Sequence, residues 1–404
     1  MTSSCANIVV LGAGYGGITA ALRLERKFRK LPQYQVNLVD INPFHTIKTQ
    51  LHEAAIRKAS VTIPIDRILK NKRILFHLGE VKKINSKEQT VLIGTKLINF
   101  DYLVVAIGSK VNYYSIPGMK EFSFSLQTLK DAETIYVHIS KICASAASET
   151  EIEKRKEMLR FVIGGGGLSG VEFAGELSDH ISKCIQNFNI PPNDSEIILI
   201  EASNYLVPSM GNDFSSKINK QLVEKGLRII TGTKITNRTQ KTVTLSTNES
   251  INTRTLIWTG GIRVSNLLQE GGMKAGQSGR IIVDEFLRTS GFPNIYAIGD
   301  DSLALNFTTG KPVPAAAQFA LQQGRLVADN IYSDVSGKEK AAYQPKVMGE
   351  VVSLGRHLAI GWLALPFIKK VTFIGFLGRL LKAAISEKHI LLLRKESRNW
   401  ISQT

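Results

Sequence analysis

The sequence predicts an α/β protein built around two copies of one βαβ unit, and three observations carry the prediction. An apolar run, Ile8–Leu11, leads into the glycine-rich Gly12–Gly17, helical spacing over Ile18–Phe28, and a second apolar run, Val36–Val39, that ends on Asp40. The same succession returns as Leu159–Ile163, Gly164–Gly167, Leu168–Phe188 and Ile197–Ile200, ending on Glu201. Tyr102–Ile107 and Ile295–Ile298 are unbroken apolar runs of the kind found in parallel strands covered on both faces.

The first turn, Gly12-Ala13-Gly14-Tyr15-Gly16-Gly17, fits G-x-G-x-x-G. In that pattern the first glycine makes the tight turn, the second lets the backbone approach a pyrophosphate, and the third lets helix and strand pack closely. The helix N-terminus adds free N–H groups and partial positive charge for the phosphates. Asp40 follows at about the 20-residue spacing at which a carboxylate accepts ribose hydroxyls. The glycines alone are a weak signal; strand, turn, helix, strand and terminal acid together are a strong one. The second turn, Gly165-Gly166-Gly167-Leu168-Ser169-Gly170, repeats the pattern with Glu201 as its acid, set farther off by the Pro191-Pro192 loop. A carboxylate there repels a 2′-phosphate, which favours NADH over NADPH. Two such Rossmann-like units in one chain point to FAD plus a nicotinamide cofactor, with the hydride chemistry supplied by the cofactors. Ile298-Gly299-Asp300, at the end of a late strand, places a carboxylate where it could bond a flavin's sugar-alcohol chain, although such turns are also common without a ligand.

A length of 404 residues suits two or three domains, and 43% hydrophobic with 21% charged residues reads as globular. We expect a discontinuous FAD-binding domain over 1–118 and 280–340, an NADH-binding domain over 119–279, and a C-terminal membrane-anchoring region over 341–404. Lysine and arginine total 51 against 34 acidic residues, a net charge of +17. That excess favours anionic partners, whether nucleic acid, anionic lipid or phosphorylated cofactors. Nucleic acid is the weakest of these, because the basic residues lack interleaved aromatics or a recognition motif. Cys5, Cys143 and Cys184 form no CxxC and no metal-ligand spacing, which suits a reducing cytosol and predicts no metal site. The N-terminus lacks the features of a signal peptide, and no apolar window is long enough to span a bilayer.

Gly12–Gly17, Asp101–Gly108, Gly165–Gly170 and Gly299-Asp300, in this order over roughly residues 7–330, resemble the two-dinucleotide-binding-domain flavoprotein reductases. Within them the chain is similar to the type II NADH:quinone oxidoreductases. The details that carry this are Leu51-His52-Glu53-Ala54-Ala55, Gly170-Val171-Glu172-Phe173, Trp258-Thr259-Gly260-Gly261 and Ala317–Gly324, the last resembling the family's A-Q-x-A-x-Q-x-G element. The resemblance implies non-covalent FAD held by Gly12, Gly14, Gly17 and Asp40, with Thr49, Val81, Asp300 and Ala317 along the rest of the flavin. It implies NADH at Gly165, Gly167, Gly170 and Glu201, Glu172 near nicotinamide and flavin, and Gln318 and Gln322 toward the headgroup of a membrane quinone, menaquinone or ubiquinone. It also implies peripheral attachment at the cytoplasmic side of the cell membrane and allows a homodimer. The chain departs from the family at Ile56-Arg57-Lys58 and at Ala315-Ala316. By themselves the residues leave plainer roles open: Glu172 also suits a helix N-terminus, and Gln318 and Gln322 could be a solvated i, i+4 pair.

From Pro366 onward the composition changes to apolar residues interleaved with lysine and arginine. Phe367, Val371, Ile374, Leu377, Leu381 and Ile385 recur at helical spacing among Lys369, Lys370, Arg379, Lys382, Lys388, Arg394, Lys395 and Arg398. This predicts a helix lying in the interface of an anionic bilayer, the alternative being a helix packed on the protein's own core. Two other functions fit the motifs: a ferredoxin- or rubredoxin-type reductase, and a non-catalytic FAD/NADH redox sensor.

Overall fold

The computed structural model describes residues 5–364 and 370–396. Its two main sheets are five-stranded, parallel and built alike. In the first, Ala6–Leu11 lies between Tyr34–Asp40 and Tyr102–Val105, with Ile74–Leu78 and Ile295–Ala297 at the edges. In the second, Arg160–Gly164 lies between Glu196–Ile200 and Thr255–Trp258, with Leu227–Ile230 and Phe124–Ser125 at the edges. In both, a three-stranded antiparallel meander precedes the return strand: Val81–Asn99 in the first and Ile235–Asn252 in the second.

The central strands are buried on both faces, which is why they read as continuous apolar runs: Ile8, Val9, Val10 and Leu11 have no exposed surface. Each such side chain contributes about 1.5–3 kcal/mol by leaving water. The helix Tyr15–Phe28 packs on the long helix Ala317–Ser336. Glycine is required at their crossing, since a Cβ on Gly324 would sit 2.4 Å from the Gly16 carbonyl oxygen. The Arg23 guanidinium closes the contact with paired bonds of 2.9 and 2.7 Å to Asp329.

The polar stretch between the units is two helices, Leu129–Ala147 and Ile152–Leu159. The first starts at a capping box in which Thr128 and Asp131 bond each other's backbone N–H. The longer crossover of the second unit comes chiefly from its helix. Leu168–Phe188 has 21 residues against 14 in Tyr15–Phe28, and the expectation that the proline loop accounts for it is corrected accordingly.

A third layer is formed by Gly349–Ser353, Ala359–Leu363 and Val371–Gly375, an antiparallel sheet followed by the helix Phe376–Glu396. Here a second expectation fails. Val371, Phe373 and Ile374 lie on a strand, and the helix starts only at Phe376. Phe367, Lys369 and Arg398 lie outside the described residues.

Candidate active site

The two glycine turns are shaped alike. Gly12 and Gly165 have φ of +97° and +109°, and a Cβ would fall 2.1 Å from the Ala106 carbonyl oxygen in one and 2.6 Å from Gly260 in the other. The third glycines are equally shut in, with Cβ positions 1.8 and 1.9 Å from the carbonyl oxygens of Gly12 and Gly165 for Gly17 and Gly170. The middle glycines, Gly14 and Gly167, have nothing within 4 Å. Closed first and third positions around an open middle one are what close approach of a pyrophosphate needs. Both turns therefore fit the FAD and NADH the motifs imply. The terminal acids also act alike: Asp40 accepts from Ala13 N at 2.6 Å and Asn42 N at 2.8 Å, and Glu201 from Gly166 N at 2.6 Å and Ser203 N at 2.7 Å.

Thr49 meets the first turn through a 3.0 Å bond between its hydroxyl and that of Tyr15. Val81 begins the meander just past Gly79, whose N–H bonds the Asp40 carbonyl. On the far side of the same sheet, the Ser109 hydroxyl donates to Asp300 at 2.6 Å, and Gly108 N–H donates to Asp301 at 2.7 Å. Asp301 escaped the sequence reading. It is fully buried, burial holds its carboxyl well above the usual range, and its Oδ1 has no partner. Ala317 opens the helix whose Gln323 accepts from Gly299 N–H at 2.6 Å, tying that helix to the Gly299-Asp300 turn.

Glu172 lies where the second unit meets the C-terminal layer. It is buried and accepts at Oε1 from the Lys382 ammonium and from Ser353 N–H at 3.1 Å. The Lys382 ammonium also donates to the Ser353 hydroxyl at 2.9 Å. His52 spans the group, with Nδ1 3.5 Å from Glu172 Oε2 and Nε2 3.3 Å from Ser353 Oγ. Burial, then the positive charges of Lys382, Arg57 and Arg379, hold His52 well below its ordinary pKa, so it is neutral. Beside it Arg57 bridges Glu53 at 3.1 Å and Glu176 at 3.0 Å, and Arg379 reaches Glu53 at 3.4 Å. His52, Glu53 and Glu176 are close enough together to suggest a cation site, and guanidinium groups meet their carboxylates. Arg57, a departure from the family pattern, is thus one of the cations this cluster uses.

The sequence places Lys382 and Arg379 among the cations of a helix lying at an anionic bilayer. Both instead point inward, as does His389, whose Nε2 is 3.1 Å from that of His45. The outward face carries Phe376, Leu377, Leu380, Ile385 and Leu391, all exposed. The helix thus buries Lys382 and His389 beside Leu393 while leaving those apolar side chains exposed.

Gln318 and Gln322 are not a solvated pair. Gln318 accepts from Met348 N at 3.0 Å and donates to the Gly349 carbonyl at 3.3 Å, and Gln322 accepts from Lys346 N at 2.9 Å and donates to the Lys346 carbonyl at 2.8 Å. They clamp the chain entering Gly349–Ser353, while Ser353 at the other end of that strand holds Glu172.

A fold with two such glycine-turn units in one chain defines a pyridine-nucleotide-dependent flavoprotein. A family model described as pyridine nucleotide-disulphide oxidoreductase matches residues 6–324. A type II NADH:quinone oxidoreductase of Staphylococcus aureus is 30% identical over 88% of this chain and 89% of its own. The fold is shared with NDH2 of Plasmodium falciparum in complex with NADH (TM-score 0.84, 19% identity, 99% of each chain). It is also shared with the sulfide:quinone oxidoreductase of Aquifex aeolicus (TM-score 0.80, 19% identity, 97% of this chain and 92% of that one). The chain belongs to the type II NADH:quinone oxidoreductases, FAD-dependent enzymes that oxidise NADH and reduce quinone.

Proposed function

We propose that Glu172, His52, Ser353 and Lys382 deliver protons for quinone reduction, and that the outward face of Phe376–Glu396 seats the enzyme on an anionic lipid surface. The observation that carries this is the two sides of the C-terminal helix: Lys382 meets Glu172 on one while Leu377 and Leu380 lie exposed on the other. A lipid-soluble substrate arriving at that helix would lie one helix diameter, about 10–12 Å, from the cluster. Among the described residues no helix is long and apolar enough to cross a membrane, so the attachment we propose is peripheral, at the cytoplasmic face.

Residues 1–118 with 280–340 form the proposed FAD unit, holding the cofactor through Gly12, Gly14, Gly17, Asp40, Thr49, Val81, Asp300 and Ala317. Residues 119–279 take NADH at Gly165, Gly167, Gly170 and Glu201, and residues 341–404 provide the attachment. Bound FAD supplies the two-electron relay between NADH and quinone. The chain's own part is positional and protonic. Lys382 Nζ holds a proton against Glu172 Oε1, and neutral His52 connects Glu172 to the Ser353 hydroxyl. Gln318 and Gln322 fix the strand that carries Ser353 and border the quinone headgroup through the backbone they clamp.

Rapid mixing separates the two half-reactions. Lys382→Met and Gln318→Ala should slow quinone reduction, the first by about 100-fold, and change flavin bleaching by NADH less than twofold. Equal slowing of both would sink the assignment. Leu377→Asp with Leu380→Asp should abolish sedimentation with anionic vesicles and leave bleaching by NADH intact; undiminished sedimentation would place the membrane surface elsewhere. Comparing menaquinone and ubiquinone analogues in the same assay identifies the acceptor.

A further inference from the structure

We propose that Tyr114, on the linker between the two units, is a binding residue for the nicotinamide half of NADH. Its ring covers the nicotinamide-side ribose, and its hydroxyl bonds that sugar. The inference rests on the reading that NADH lies in the second cradle, and it adds to that site a residue no motif points to.

The order of the sheet decides which half of the dinucleotide is concerned. Arg160–Gly164, the strand that ends in the cradle, has Glu196–Ile200 on one side and Thr255–Trp258 on the other. Glu201, at the end of the first neighbour, marks the adenosine side, because the terminal acid of such a unit serves the adenosine ribose. A dinucleotide crossing the turn therefore leaves it over the loop after the other neighbour, Thr259–Gly261. That loop touches the turn directly. Thr259 Oγ1 donates to the Gly165 carbonyl at 2.9 Å, and a Cβ on Gly165 would lie 2.6 Å from Gly260.

Tyr114 rests on the same loop. A Cβ on Gly261 would fall 2.3 Å from the phenol oxygen, and the ring meets Trp258 edge-on with centroids 6.4 Å apart. The linker is tied there by three bonds. Trp258 Nε1 donates to the Asn112 carbonyl at 2.8 Å, Asn112 N–H to the Gly261 carbonyl at 3.0 Å, and Tyr114 N–H to Asn112 Oδ1 at 2.9 Å. The phenol itself is left over: it is 59% exposed, and its hydroxyl bonds no described residue. The backbone is strained to hold it out. Tyr114 and Ser115 have φ of +50° and +56°, two successive left-handed residues with no glycine between them. Side chains disfavour that region, and such positions persist where a site uses them. A tyrosine kept for packing would be buried, and one merely solvated would be better replaced by glycine. An aromatic face with a free polar tip, beside the path of the sugar, suits a ribose.

The test titrates the oxidised, FAD-loaded full chain calorimetrically with NAD⁺, ADP-ribose and 5′-AMP. Tyr114→Phe keeps the ring and loses the hydroxyl, and should bind NAD⁺ and ADP-ribose about fivefold more weakly. In Tyr114→Gly the loss should reach about 30-fold for both. 5′-AMP, which spans only the Glu201 side, should bind both variants as it binds the unaltered chain. Glycine suits the left-handed backbone, so Tyr114→Gly should keep its thermal midpoint within about 2 °C, which separates lost contact from lost structure. In rapid mixing the half-saturating NADH concentration should rise by the same factors, with the limiting rate of bleaching changed by less than about twofold. Unaltered affinity for NAD⁺ and ADP-ribose in both variants would overturn the proposal, and so would equal weakening of 5′-AMP. Gly165→Ala tells this failure from that of the cradle reading. Normal bleaching of Gly165→Ala by NADH would remove both, whereas unaltered Tyr114 variants beside a Gly165→Ala chain that does not bleach would remove only the role of Tyr114.

Discussion

The two glycine-turn units differ less in their turns than in what their helices do next. Both turns close their first and third glycines and leave the middle one open, and both acids accept N–H bonds from the turn they serve. The first helix stops after 14 residues and reaches across to Ala317–Ser336 through partly exposed ion pairs of Arg23 and Lys27 with the one carboxylate of Asp329. The second runs for 21 and places Glu172, Glu176 and Asp179 against three other parts of the chain: Leu51–Arg57, the Ser353–Arg356 turn and the C-terminal helix. The cradle repeats a general solution to binding a dinucleotide. The specialised chemistry lies in the side chains the longer helix presents away from it, so a change in either cradle should remove one ligand, and a change in the cluster should remove coupling.

The largest effects should come from the first glycines. Gly12→Ala and Gly165→Ala each force a side chain into a left-handed backbone position, which costs about 1–3 kcal/mol before the contacts at 2.1 and 2.6 Å are relieved. The comparison predicts opposite phenotypes. Gly12→Ala should purify without flavin colour, whereas Gly165→Ala should purify yellow and fail to bleach with NADH. Loss of colour in both would mean that the turns are not independent.

Next come the ion pairs. Glu172→Gln leaves the Lys382 ammonium buried without its anion and should cost about 3–5 kcal/mol in denaturant unfolding. Glu172→Gln combined with Lys382→Met should recover most of that loss, though not the quinone half-reaction. Asp329→Asn breaks two pairs that are about one-third exposed and should cost about 1 kcal/mol. Equal costs at the two sites would erase the distinction drawn here between them.

The cradles were legible from sequence because a βαβ turn is local: glycine spacing, apolar runs and terminal acid all lie within one short stretch. The helix Leu168–Phe188 was legible to the residue for the same reason. The cluster was not, because its closest bond joins Glu172 to a lysine 210 positions away, which no periodicity records. Lys382 was visible only as one of many tail cations, and His52 and Glu53 only as part of a family motif without a role. Val371–Gly375 was misread because Val371, Ile374 and Leu377 satisfy helical spacing, while the exposure of the run alternates with period two. A short apolar run cannot choose between the two periods without its partner strand, here Ala359–Leu363. The inward turn of Arg379 and His389 likewise depends on carboxylates and imidazoles supplied by other elements.

The smallest expected effect concerns how the C-terminal helix is held on the first cradle. His389 packs on the Tyr15 ring at 4.6 Å and shares a nitrogen-to-nitrogen contact with His45, whose Nδ1 bonds the Ala13 carbonyl at 2.8 Å. Burial, then the charges of His45 and Arg325, bring His389 down to about 3, and His45 is lowered too, chiefly by burial and against the pull of Asp40. With the docked value below the free one, the undocked helix binds a proton that the docked helix refuses. Docking is therefore at full strength above about pH 6.5 and weakens as pH falls from there toward 3. At pH 5.5 His389 alone should account for a loss of about 1.4 kcal/mol relative to pH 7.5. Hydrogen exchange over Phe376–Glu396 should accelerate about tenfold between those values, after correction for intrinsic rates, while exchange in Tyr15–Phe28 stays level. His389→Gln should flatten the dependence. If the variant keeps the full acceleration, the pH response of that helix belongs to the buried His52 in the cluster its inner face meets, and the His389 contact only packs it against the turn.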